Sequence, residues 1–135
     1  MPNDLISGLP TEVADTEYLA RFIYQSNQFN LRAAKSVVFL PPSNYRLSVA
    51  RQSADPLTEL RHMAATYRTD KVAYGAAMII VSLVRSQDLE VEADEPPIRH
   101  ANIIGWPVHG DPDEQKSQQL QRAKALADAS QLILF

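Results

Sequence analysis

The sequence predicts a single α+β domain, a mixed or antiparallel sheet with about three helices packed mainly on one face. Three observations carry this. Residues 45–51 and 89–93 alternate apolar and polar side chains, the period of a half-buried strand. Asp55-Pro56 and Asp111-Pro112 each join an acidic cap to a proline at the first helical position, where its missing N–H costs nothing. The two kinds of segment interleave along 135 residues, a length that holds one core and leaves little room for a second. At 45% hydrophobic and 21% charged, the composition excludes a disordered or fibrous chain.

Residues 1–14 hold two prolines and a glycine without clear period, and are expected to form a leader arm ahead of a domain over 15–135. Leu5, Ile6, Leu9 and Val13 are available to dock that arm. Asp15 then reads as the cap of a helix over 15–28, because Leu19, Phe22, Ile23 and Ser26 fall at i, i+3, i+4 and i+7. Residues 36–40 are short, apolar and partly β-branched, which predicts a strand closed by Pro41-Pro42. Residues 45–51 follow as a strand with Tyr45, Leu47 and Val49 on one face and Arg46, Ser48 and Ala50 on the other.

A helix begins at Asp55-Pro56 and runs to about Arg68, with Leu57, Leu60, Ala64 and Tyr67 on one face. The β-branched run Ile79-Ile80-Val81 makes 76–81 a buried strand, followed by a helical turn at 82–87 and a strand at 89–93. Residues 98–104 form another strand, ended by Gly105-Trp106-Pro107. The last helix runs from the Asp111 cap to about Ser130, with Glu114 at the capping-box position. Leu132 to Phe135 is apolar enough to be a final strand or a docked tail. The expected core is Leu19, Phe22, Ile23, Val38, Leu47, Val49, Leu60, Ile80, Val91, Ile103 and Leu126.

Cysteine is absent, so disulfides, thiolate metal sites and thiol nucleophiles are excluded. With only Gly8, Gly75, Gly105 and Gly110, neither GxxxxGK[ST] nor GxGxxG can be written, and GxSxG is missing as well. No cofactor is therefore expected. A net charge of -3 gives no overall electrostatic footprint for nucleic acid. The apolar run within 72–84 is too short to span a bilayer, and no secretory signal is evident, so a cytoplasmic location is expected. His100, His109, Asp111 and Asp113 lack HExxH or His-x-His spacing, so no metal site is expected.

Of the three histidines, His62 reads as a surface residue on the second helix. His100 stands at a strand start beside Asp94 and Glu95, where an acid can orient an imidazole as a general base. The preferred reading is a structural histidine that bonds a backbone carbonyl and holds the proline loop, so no catalytic residue is assigned unless the protein is an enzyme. Ser48 is the candidate nucleophile to face it. Arginine outnumbers lysine nine to four, and its planar fork suits carboxylates and phosphates, which makes Arg46 and Arg99, with Asn102, candidate ligand-binding residues. Trp106 reads first as filling the core edge with its N–H satisfied; it and Phe135 are also the candidate interface residues, apolar and large enough to anchor a partner.

The segments Arg21-Phe22-Ile23, Phe39-Leu40-Pro41, Leu47-Ser48-Val49 and Pro96-Pro97-Ile98-Arg99-His100-Ala101-Asn102-Ile103-Ile104-Gly105-Trp106-Pro107 resemble a skeleton shared by a loose group of small uncharacterised prokaryotic proteins. The resemblance implies one compact domain with His100 in a special place, and an association with bacterial conflict or defence systems. It attaches no reaction. Two functions are therefore expected to compete, the first leading and the second the alternative. One is a non-enzymatic accessory or interaction module with a protein partner or a homodimer. The other is a small hydrolase or transferase using His100 on a phosphorylated or nucleotide-like ligand. A deep pocket holding Arg46, Ser48 and His100 together would favour the enzyme, and a shallow, exposed apolar patch the module.

Overall fold

A computed structural model describes residues 5–30, 32–52 and 56–135. Six strands form one antiparallel sheet: β1 (Tyr18–Ile23), β2 (Leu47–Arg51), β3 (Gly75–Ile80), β4 (Glu90–Ala93), β5 (His100–Ile104) and β6 (Gln131–Leu134). Their spatial order is β4-β5-β2-β1-β3-β6. The helices are α1 (Pro56–Tyr67), α2 (Val81–Ser86) and α3 (Pro112–Ala129). This is the expected small α+β domain. The Asp55 cap expected for α1 lies outside the described residues, as does the side chain of Leu57.

Two apolar layers sandwich the sheet. Leu19, Ile23, Leu47, Val49, Ala77, Ile79 and Ile103 meet Val81 and Val84 of α2 and Ala123 and Leu126 of α3 on one face. Ala20, Phe22, Ala50, Ala76 and Met78 meet Leu60, Met63 and Ala64 of α1 on the other. The three central strands are thus buried on both sides, and that explains the main correction. Residues 15–28 do not form a helix. Leu19, Ala20, Phe22 and Ile23 are all buried because β1 faces a layer on each side, so polar residues do not alternate along it. The helix-like spacing of Leu19, Phe22 and Ile23 comes from this continuous burial, with Arg21 as the one interruption.

The second correction concerns residues 36–40. They form a 3₁₀ helix over Ser36–Phe39, not a strand. Val38 and Phe39 are pressed under α3 in the first layer, so their burial comes from packing on the sheet and not from pairing within it. In β3 the buried isoleucine is Ile79; Ile80 is only partly buried, since it caps α2. The remaining expected core residues are buried. Tyr45 adopts a positive φ of 59° ahead of β2 and does not join the inward face with Leu47 and Val49.

The arm is docked where it is described. Val13 is buried, the Ser7 N–H donates to Glu95 Oε1 at 2.9 Å, and Arg51 Nη1 donates to the Pro10 carbonyl at 2.8 Å. Arg51 has no exposed surface, and it makes a two-pronged pair with Glu17, Nε to Oε1 at 2.7 Å and Nη2 to Oε2 at 2.8 Å. Trp106 is also buried, and its indole N–H donates to the Ile103 carbonyl at 2.9 Å. Its ring therefore fills the core and offers a partner little surface. No helix among the described residues is long and apolar enough to cross a membrane.

Candidate functional site

The site begins where two strands part. β1 and β3 pair over six positions, from Tyr18↔Ile80 to Ile23↔Gly75, but β1 and β2 pair only at Leu19↔Arg51 and Ala20↔Ala50. Continued in register, the ladder would set Phe22 opposite Ser48. It stops short, and Arg21 occupies the gap, donating from Nη1 to the Ser48 carbonyl at 3.1 Å and from Nε to the Val38 carbonyl at 3.0 Å. Burial draws the Arg21 guanidinium below its ordinary pKa of 12.5, and it stays a cation at neutral pH. Among the described residues no carboxylate pairs with it.

Over this gap lies a hollow of about 240 Å³ lined by Arg21, Phe22, Tyr24, Ser48, Tyr67 and Arg68. Its wall is aromatic. Phe22 meets Tyr67 edge-on at 5.3 Å and Tyr24 at 6.4 Å. The Tyr24 hydroxyl donates to the Ala64 carbonyl at 2.8 Å, and that of Tyr67 to the Ile98 carbonyl at 3.2 Å. Burial pushes Tyr24 up to about 12 and raises Tyr67 further, so both are neutral donors at pH 7. At the rim Arg68 pairs with Asp70 and lies 5.7 Å from the centre of the Tyr24 ring.

β2 and β5 register Ala50 against His100 and Ser48 against Asn102, which puts all four on the α1 face. The result is a serine–histidine contact of 2.6 Å between Ser48 Oγ and His100 Nε2. On the other side of the ring, Nδ1 lies 2.8 Å from the Asp94 carbonyl, an acceptor only. Nδ1 must therefore carry the proton in the neutral ring, leaving Nε2 to accept from the Ser48 hydroxyl. The Asp94 carboxylate is 3.7 Å from Nδ1 and accepts from Asn102 Nδ2 at 2.8 Å. Tyr67 packs against the imidazole at 5.6 Å, and the histidine side chain is only 13% exposed.

The loop carrying Asp94 and His100 is itself organised by Glu95. Its carboxylate accepts the N–H groups of Ser7 and Arg99. Burial alone would raise its pKa; these hydrogen bonds outweigh burial and hold it below the ordinary 4.5. Both prolyl bonds of the loop, Glu95-Pro96 and Pro96-Pro97, are cis.

Of the residues singled out from sequence, Ser48, His100 and Asn102 come together. Arg46 and Arg99 do not join them, and of Arg46, Ser48 and His100 only Ser48 lines the hollow. Arg46 pairs with Glu92 at the surface at 2.7 Å, and Arg99 with Glu59 of α1. Each has its charge met by an acid, which removes the reason to assign it an anion. Phe135 is partly buried against the α1 layer, and its N–H donates to the Tyr74 carbonyl. His62 is exposed on α1. His109 Nδ1 accepts the Asp111 N–H at the start of α3. Arg21, Tyr24, Tyr67 and Arg68 were not found from sequence. The available signal was Arg21 itself, a lone charge inside Leu-Ala-Arg-Phe-Ile.

No known protein family, curated protein or solved structure matches this chain.

Proposed function

We propose that this protein is a small hydrolase or transferase that acts on a compact anionic ester, phosphorylated or nucleotide-like, in the hollow beside Ser48. The observation that carries the proposal is the 2.6 Å contact of Ser48 Oγ with the free nitrogen of an imidazole whose other nitrogen is held by Asp94. A serine hydroxyl is a weak nucleophile until a base within hydrogen-bond reach takes its proton. Here Ser48 Oγ attacks the phosphorus or carbonyl carbon as its proton passes to His100 Nε2. The leaving-group oxygen departs with that proton. Water, or an acceptor hydroxyl, then attacks with His100 again as base, and Ser48 is released.

Support for an anion comes from Arg21, whose guanidinium lines the hollow and meets no carboxylate among the described residues; Arg68 at the rim is already paired with Asp70. Support for a planar group comes from Phe22, Tyr24 and Tyr67. At about 240 Å³ the space is below the common range for drug-sized ligands, so the substrate is of the size of one ring with one charged group. Turnover of 4-nitrophenyl phosphate and 4-nitrophenyl acetate is the test, with mass-spectrometric labelling by a fluorophosphonate. Ser48→Ala and His100→Ala are each expected to lower turnover by about 10³-fold or more and to abolish labelling. A wild-type chain that neither turns over these esters nor takes the label overturns the assignment.

A second reading is a non-enzymatic interaction module, and a separate observation favours it. Val72 is 85% exposed and lines a hollow with Ala73 and Phe135, and Leu134, the residue before Phe135, is exposed on an edge strand. Apolar side chains so placed suit a protein partner. Pull-down with Ser48→Ala separates the two readings: a module keeps its partner after the hydroxyl is lost.

A further inference from the structure

The two edges of the sheet are built differently, and the difference points to a partner. Alternation of the hydrogen bonds shows which backbone groups face outward. The Phe135 N–H donates to the Tyr74 carbonyl, and β6 registers Ile133 against Ala76 and Gln131 against Met78. Residues 131, 133 and 135 therefore spend their backbone groups on β3, while Leu132 and Leu134 turn theirs away from the sheet. At the other edge, Asp94 N–H donates to the His100 carbonyl, so Val91 and Ala93 face outward from β4. There the Val91 N–H is met by Glu90 Oε1 at 2.9 Å, and Glu90 and Glu92 charge the strand. Thr11, Glu12 and Val13 of the arm line a hollow together with residues 90–93 of this strand. Such charges and covers are what keep an edge from pairing.

β6 has none of these devices. Gln131-Leu132-Ile133-Leu134 carries no charge and no proline, and Leu134 is 44% exposed. We infer that β6 pairs antiparallel with β6 of a second copy, about a two-fold axis through Ile133. In that register Leu132 exchanges both its backbone hydrogen bonds with the partner's Leu134, and Leu134 with the partner's Leu132. Every outward group of the strand is then used. A second copy is the occupant that fits, because self-pairing sets no charge against a like charge here. The same pairing at β4 would set glutamates against glutamates. It also brings each exposed Leu134 against the partner's Leu132, forming an isologous interface of the commonest symmetry. This inference is independent of the chemistry at Ser48.

The test is sedimentation equilibrium of the full chain from roughly 10 µM to 1 mM, the range in which small interfaces associate, with amide exchange followed by NMR. The expected result is a monomer–dimer equilibrium in which the Leu132 and Leu134 amides exchange fast when dilute and become protected as the dimer forms. The Ile133 and Phe135 amides should be slow throughout. Leu134→Lys, at a half-exposed site and with melting checked to confirm folding, should weaken association at least about tenfold. A chain monomeric at 1 mM overturns the inference. So does a dimer that Leu134→Lys leaves intact, or protection of the outward amides already present in the dilute monomer, which would mean the chain covers its own edge.

Discussion

Arg51 and Arg21 are both arginines inside the sheet, and they are held in opposite ways. Arg51 has no exposed surface, and its charge is cancelled by the two oxygens of Glu17 while Nη1 takes the Pro10 carbonyl. Every prong is spent on tying the arm and the start of β1 to the end of β2. Arg21 donates only to the neutral carbonyls of Ser48 and Val38, at the point where β1 and β2 part. Two of its nitrogens are hydrogen-bonded, while its charge meets no carboxylate among the described residues. The difference teaches which buried cation is structural and which leaves a field for a ligand. An arginine facing a carboxylate is finished, and one facing carbonyls beside a hollow can still attract an anion.

The largest expected effect tests the first half of that contrast. Glu17→Ala leaves the Arg51 guanidinium buried without its partner, and should cost about 3–5 kcal/mol of folding stability, read as a shift in the urea midpoint. Replacing both partners with apolar residues of similar volume should cost much less, because the loss comes from the stranded charge and not from the absent pair.

Acid is the second way to break the pair. Burial would raise the pKa of Glu17, but the Arg51 hydrogen bond, the Ala14 N–H and the charges of Arg51 and Arg85 outweigh it and hold it below the ordinary 4.5. Glu95 is lowered in the same sense. A carboxylate with a depressed folded pKa contributes stability that is complete above its unfolded pKa. That contribution is lost as pH falls through the folded value. Urea midpoints should therefore be level from pH 7 to about 5.5 and fall steadily below 4.5. A midpoint that does not fall in acid would mean neither carboxylate is engaged in solution.

Arg21→Met tests the other half. It removes donors from two carbonyls and should cost about 1–3 kcal/mol, because those carbonyls lose a partner while no charge is stranded. At the same time it should weaken competition by inorganic phosphate for the hollow about tenfold or more, measured by isothermal titration. If phosphate affinity were unchanged in a folded Arg21→Met chain, the contrast between the two arginines would fail. The smallest effect belongs to Arg46→Ala, which breaks an ion pair whose partners are both about half exposed and should change stability by about 0.5 kcal/mol or less.

Gly75 provides an independent check on how β6 is seated. A Cβ at this position would lie 2.2 Å from the Ile133 carbonyl oxygen, a backbone atom with little freedom to move. Gly75→Ala should therefore loosen β6 from β3 and raise the exchange rates of the Ile133 and Phe135 amides by about tenfold or more.

The sequence by itself determined the fold class, the strands β2 to β5, and the helices α1 and α3. Their signals are local: a period of two at residues 45–51 and 89–93, and a cap followed by proline at Asp111-Pro112. It also singled out Ser48 and His100 as the two residues an enzyme would have to bring together. Their meeting across 52 residues is a matter of register between β2 and β5 that no local pattern records. Only the tertiary structure decided that residues 18–23 are a strand. A segment buried on both faces loses its alternation, and its apolar residues then match helical spacing as readily as any other. The same holds for residues 36–39, whose burial under α3 looks like that of a strand in sequence. Which arginines keep an unmatched charge was also out of reach. Arg46, Arg51 and Arg99 each find an acid 34 to 46 residues away, and Arg21 finds none among the described residues. Composition counts charges, but only the packed chain decides which of them meet.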